Sequence, residues 1–164
     1  MPCVLYLTHQ DVLLTPQQVR GTITLQNYFG AMPPVTILLR NPGSTTTLKS
    51  WVVTPNPDGS FSVPTPAPGT YDFAFKASHW LQKVIHNVVV TNSGATGLAP
   101  SLVNGDVNGD NFVTIGDFAQ LRAAYNTAVG DPGYNPNADL NGDGFVTLGD
   151  FAILRSRYGS QGDQ

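Results

Sequence analysis

Asp106-Val107-Asn108-Gly109-Asp110-Asn111-Phe112-Val113-Thr114-Ile115-Gly116-Asp117 and Asp139-Leu140-Asn141-Gly142-Asp143-Gly144-Phe145-Val146-Thr147-Leu148-Gly149-Asp150 are two copies of one pattern, the second beginning 33 positions after the first. Each runs into the same kind of segment, Phe118-Ala119-Gln120-Leu121-Arg122 in one and Phe151-Ala152-Ile153-Leu154-Arg155 in the other. Self-similarity this close marks a duplicated structural unit. Phe118, Leu121 and Tyr125, like Phe151, Leu154 and Tyr158, fall at i, i+3 and i+7, which predicts two helices, each with one apolar face. Two such faces can pack antiparallel.

The residues at alternate places in each copy carry oxygen. A hard cation such as Ca²⁺ takes six to eight oxygen ligands, and a 12-residue loop of EF-hand type supplies them from positions 1, 3, 5, 7 and 12. In the first copy these are Asp106, Asn108, Asp110, the backbone carbonyl of Phe112, and Asp117; in the second they are Asp139, Asn141, Asp143, the carbonyl of Phe145, and Asp150. Position 9, Thr114 or Thr147, is expected to hold a bridging water. Position 12 is expected to be the first residue of the helix that follows. Position 6 needs a sharp turn, which Gly144 supplies in the second loop; the first has Asn111, the residue other than glycine that best tolerates left-handed backbone. The reading is therefore two Ca²⁺ ions, with the first site slightly weaker.

Two departures from a full EF-hand are informative. Position 12 is Asp rather than Glu, and the residues before Asp106, Pro100 to Gly105, are not helical. A loop-helix unit without its entering helix, ending in Asp and duplicated, resembles the type I dockerin family over about 103–159. The resemblance implies a non-catalytic module of a secreted bacterial protein, folded around two Ca²⁺ ions and docking on a cohesin. It also implies recognition through loop positions 10 and 11 and the following helix: Ile115, Gly116 and Arg122 in one half, Leu148, Gly149 and Arg155 in the other. Many dockerins carry hydroxyl residues at 10 and 11, whereas this chain has an apolar residue and Gly. The near-symmetric pairs give both halves a similar face.

Composition agrees with a staple of this kind. All eleven acidic residues are Asp, which excludes Glu-based active sites. Residues 1–98 hold five Lys or Arg against three Asp, and residues 99–164 hold three Arg against eight Asp, so the acidity lies in the repeats. Some 60 residues bury too little apolar surface to be comfortable alone. Cations that offset the carboxylates turn binding energy into folding energy. A net charge of −3 argues against nucleic acid, and no apolar run approaches the roughly 18 residues of a membrane span. Cys3 is alone, so no intrachain disulfide exists. No nucleophile-base constellation or open metal position appears, and the chain reads as not an enzyme.

Ahead of the repeats, residues 19–102 alternate. Ile23 and Leu25 share a face, as do Val35, Ile37 and Leu39, and Tyr71, Phe73 and Phe75. Breaks at Asn41-Pro42-Gly43, Asn56-Pro57-Asp58-Gly59 and Pro68-Gly69 carry turn chemistry. Six or seven strands at this spacing predict an antiparallel β-sandwich. Asp58-Gly59-Ser60-Phe61-Ser62-Val63 followed by Pro68-Gly69-Thr70-Tyr71-Asp72-Phe73 is similar to the signature of carboxypeptidase-regulatory-like, transthyretin-like sandwich modules, which implies a non-catalytic spacer or adhesion unit. Trp51, Trp80, Tyr28 and Phe29 read as core, with a glycan-stacking platform as the alternative. His79, Lys83 and His86 fall in one strand-like stretch with no carboxylate near them in sequence.

Residues 1–18 form an arm. Both alternation faces of Cys3-Val4-Leu5-Tyr6-Leu7-Thr8 are apolar, so the segment needs cover, either as an extra strand of its own sandwich or as a strand donated to a neighbour. The stretch lacks the preceding basic residue of a signal peptide. The whole reads as mainly β with a small α part: an arm (1–18), a β-sandwich (19–102) and a dockerin-like calcium module (103–164). The expected setting is extracellular or the cell surface, and the expected role is docking on a cohesin-like protein. The alternatives are a fibre of copies of itself, built by strand donation, and carbohydrate binding by the sandwich.

Overall fold

The computed structural model describes residues 17–164. Within them the chain forms β1 (Gln18–Thr22), β2 (Thr24–Leu25), β3 (Val35–Arg40), β4 (Thr47–Val53), β5 (Ser60–Pro64), β6 (Gly69–Lys76), β7 (Lys83–Val90), β8 (Gly94–Leu98) and β9 (Ser101–Leu102), then α1 (Ile115–Ala123) and α2 (Leu148–Arg157). The reading of Cys3 to Thr8 as a strand lies outside the described residues.

One sheet has the order β4-β3-β6-β7 and is antiparallel throughout. The other has the order β5-β1-β8, and a short β2-β9 pair extends beyond it. Period-two alternation does the work. Val35, Ile37 and Leu39 of β3 and Phe73 and Phe75 of β6 point inward and are buried. Val19, Phe61, Val63 and Leu98 meet them from the second sheet. Phe61 and Phe75 touch edge to face across the layers, 5.5 Å between centroids.

The expected turns form. Gly59 N–H donates to Asn56 O at 2.8 Å. Gly59 itself has φ +81°, and a Cβ there would sit 2.3 Å from Ile23 O, so only glycine closes this turn against β1.

The sheets are mostly antiparallel, as expected of the sandwich, with two parallel pairings. β1 runs parallel to β8, and β2 parallel to β9. Alternation fixes which face a residue takes but not the direction of its neighbour, so a parallel pairing leaves no mark in the pattern. The strand-like stretch from Trp80 is also shorter than it looks. β7 begins at Lys83, while Ala77 to Leu81 turn, and Trp80 makes a single bridge to Asn104.

Two of the three basic residues in this stretch find carboxylates from beyond it, and His79 finds none among the described residues. Lys83 Nζ pairs with Asp163 Oδ2 at 2.9 Å, and His86 Nδ1 lies 2.8 Å from Asp72 Oδ2. Burial pushes the Asp72 carboxyl up, but the N–H groups of Asn87 and Gly43 and the His86 ring outweigh it and hold its pKa below the ordinary value. His79 is buried and stacks on Trp80 at 3.7 Å. Of the four aromatic residues considered for a glycan platform, Trp80 is fully buried, Trp51 and Tyr28 pack partly buried against the core, and Phe29 alone is exposed.

A second core lies between the repeats. Val107, Val113, Leu121, Ala124, Ala138, Leu140, Val146 and Leu154 close on one another, and Leu81 from the sandwich side joins them. Phe118 and Phe151 meet at 5.7 Å between centroids where the helices face each other. Tyr125 and Tyr158 do not share that core. They lie past the ends of the helices and are half exposed.

Candidate metal centre and docking face

The two loops repeat one hydrogen-bond pattern. Asp110 N–H donates to Asn108 Oδ1 at 2.9 Å, and Phe112 N–H to Asp110 Oδ1 at 2.9 Å. Their counterparts, Asp143 N–H to Asn141 Oδ1 and Phe145 N–H to Asp143 Oδ1, have the same lengths. At position 6, Asn111 N–H donates to Asp106 Oδ2 at 3.1 Å and Gly144 N–H to Asp139 Oδ2 at 2.8 Å. Asn111 adopts φ +72° where Gly144 has +89°, so asparagine does take the left-handed turn. Position 12 reaches back across each loop: Asp117 Oδ1 accepts from Asn108 N–H at 3.0 Å, and Asp150 Oδ1 from Asn141 N–H at 3.1 Å.

The helices begin two residues earlier than expected. Thr114 and Thr147 are N-caps whose hydroxyls accept from Gly116 and Gly149, and Asp117 and Asp150 occupy the third helical position. Each carboxylate accepts from its own cap, Asp117 Oδ2 from Thr114 N–H at 2.7 Å and Asp150 Oδ2 from Thr147 N–H at 2.8 Å. This is a capping box with Asp in place of Glu. One carboxylate thus starts the helix and closes the loop, and the threonine hydroxyl is spent on the cap.

The donor set suits a hard cation. Asp106, Asp117, Asp139 and Asp150 are all buried. Burial pushes the carboxyls of Asp106 and Asp150 up, with a neighbouring Asp adding to it in each case. Asp106 Oδ1 is buried with no hydrogen-bond partner. A buried, orphaned carboxylate oxygen at the first donor position is costly unless a cation meets it. Among the described residues no three His, Cys, Asp or Glu side chains converge closely enough to hold an ion by themselves. Each loop's set also draws on an asparagine oxygen and a backbone carbonyl.

Several residues that sequence reasoning missed surround the loops. Lys76 of β6 pairs with Asp106. Tyr134 O–H donates to Asp139 Oδ2 at 2.8 Å; burial and then the Asp139 carboxylate push this phenol well above its ordinary pKa. Phe29 N–H donates to Asn141 O at 2.9 Å, and Tyr28 packs so close to Gly142 that a Cβ there would lie 2.4 Å from the ring. Buried Asn104 donates through Nδ2 to Gln26 O at 3.2 Å and Leu140 O at 2.6 Å, joining the sandwich to the second repeat. None of these residues stands in a pattern that a sequence displays.

On the helices' outer side, Ile115 and Leu148 are each 66% exposed. Two shallow grooves lie beside the Phe118/Phe151 contact. One, of about 290 Å³, is lined by Leu121, Arg122, Tyr125 and Leu148; the other, of about 340 Å³, by Ile115, Leu154, Arg155 and Tyr158. The structure brings the expected recognition residues Ile115, Arg122, Leu148 and Arg155 to this one doubled surface, while Gly116 and Gly149 sit in the first turns above the capping threonines.

Residues 104–157 match the family model of the dockerin type I domain. The match covers the repeats and stops short of the sandwich. The chain as a whole is similar in fold to a chain of two crystal structures of type II cohesin–X-dockerin complexes from Acetivibrio cellulolyticus. For an N-terminal interface mutant the TM-score is 0.70 at 24% identity, and for a C-terminal interface mutant 0.67 at 26%; each covers 88% of this chain and 97% of the other. No protein of curated function matches the sequence significantly. Among the described residues no helix is long and apolar enough to cross a membrane.

Proposed function

We propose that this chain is a non-catalytic, extracellular docking module that binds a cohesin-class protein through the face made by α1 and α2. Two Ca²⁺ ions hold that face in shape. In the first loop the ligands are Asp106, Asn108, Asp110, the Phe112 carbonyl and Asp117; in the second they are Asp139, Asn141, Asp143, the Phe145 carbonyl and Asp150. The observation that carries the reading is the doubled surface, in which each of two grooves is lined by an exposed aliphatic residue from one repeat and an arginine and a tyrosine from the other. Exposed apolar anchors flanked by arginine are what a specific protein interface uses. The dockerin type I match over the repeats supports the partner class, and the likeness to cohesin–X-dockerin complexes supports a docking module preceded by a sandwich.

Titration calorimetry against one type I and one type II cohesin, in calcium and in chelator, tests this. The expected result is calcium-dependent binding to one of them, weakened at least ten-fold by the double change Ile115→Asp with Leu148→Asp. Binding to neither, or binding untouched by that change, would overturn the proposal.

A further inference from the structure

The loops match at every donor position, yet among the described residues a sandwich side chain pairs with the first donor of one loop and not of the other. Lys76, the last residue of β6, sets its Nζ on Asp106 Oδ2 and 2.5 Å from Trp80 O. The Asp106 side chain is fully buried, whereas the lysine's is 25% exposed. The same strand end holds the rest of the first loop. Gly105 and Asp106 N–H both donate to His79 O at 3.0 Å, and Gln82 N–H donates to Asn111 Oδ1 at 2.7 Å, fixing position 6. At Asp139 the equivalent oxygen receives a neutral phenol from Tyr134 instead of an ammonium.

From this geometry we infer that Lys76 is a built-in counter-cation of the first loop, which makes that loop the weaker calcium site and the one that fills second. The inference rests on the calcium reading proposed above. An ammonium on a buried carboxylate partly meets the need that a metal would meet there. A divalent ion entering the loop must then displace a cation already paired or share Asp106 with it. Like charges a few ångströms apart at a protein surface cost about ten-fold or more in affinity. Displaced from Asp106, the lysine keeps the Trp80 carbonyl as an acceptor. Filling the first loop therefore exchanges a tie between sandwich and loop for a metal.

Calcium calorimetry on the full chain in two backgrounds separates the loops. Asp143→Ala disables the second and Asp110→Ala the first, and both aspartates are exposed. The expected result is a first loop about ten-fold weaker than the second. Lys76→Met should strengthen the first loop by about ten-fold and leave the second within two-fold. Lys76→Arg, which keeps the charge, and Lys83→Met, which removes a lysine paired with Asp163 rather than with a loop, should change neither. Equal affinities, or a Lys76→Met chain whose first loop is unchanged or weaker, would overturn the inference while leaving the calcium reading standing. No calcium uptake in the unmodified chain would overturn both. Should Lys76→Met fail to fold, the Lys76 amine resonance in the unmodified chain gives the answer. It should shift with the later calcium step, and a shift with the earlier step or with neither would overturn the inference.

Discussion

Among the described residues, the sandwich closes fourteen buried apolar residues on one another, with Phe61, Phe73, Phe75 and Trp80 among them; the repeats close nine, none aromatic and one borrowed from the sandwich side. Buried carboxylates are distributed the other way. The sandwich has Asp72, fully met by hydrogen bonds, while the repeats bury four. One part is held by burial of apolar surface and resembles an ordinary domain interior. The other concentrates repulsion in its centre and has little apolar surface to offset it. The difference teaches that one chain can join two units with different dependence on solution conditions.

Chelation should separate them most. At calcium a thousand-fold above the dissociation constant, each loop gains about 4 kcal/mol of folding stability. Removing the ion should abolish the helical part of the far-ultraviolet circular dichroism and leave the strand signal largely intact. Loss of both signals in one step would show that the two parts fold as one unit. Phe75→Ala is the converse attack, because it opens a cavity between the sheets. It should cost about 3–5 kcal/mol in urea denaturation of the strand signal, by the same amount with and without calcium. A calcium-dependent cost would erase the contrast.

A smaller effect sits at the junction. Burial, with the Lys76 ammonium beside it, pushes the His79 pKa down to about 3. The unfolded chain takes up a proton below about pH 6.5 that the folded chain refuses, so stability falls as pH drops from there towards 3. Between pH 7 and 5 the loss should be about 2 kcal/mol. His79→Gln should flatten that slope in urea titrations at pH 7, 6 and 5, and an unchanged slope would remove His79 as its source.

Much of the fold is legible in the sequence. Strand faces followed from alternation, since Val35, Ile37 and Leu39 could only point one way together. Turns followed from Pro, Gly, Asn and Asp. The duplication followed from the spacing of the oxygen-bearing residues, and the two loops repeat one hydrogen-bond pattern on those residues. What escaped has physical causes. The helices start at Ile115 and Leu148 because a threonine cap accepts from the N–H two residues after it, and the ligand pattern alone does not show where hydrogen bonding begins. The parallel pairing of β1 with β8 depends on how the chain enters the sheet. Lys76, Asn104 and Asp163 act across distances in sequence at which local periodicity carries no information.

Leu81 has a practical consequence for anyone wishing to transplant the repeats. It precedes them by more than twenty positions, yet its side chain packs in one cluster with Val107, Leu121 and Leu154. A graft cut just before Asn104 would carry a vacancy where that leucine belongs and would leave the Asn104 amide without its Gln26 acceptor. The portable piece is therefore the sandwich and repeats together, and a fusion made from the repeats alone should aggregate unless the host surface supplies a replacement for that side chain.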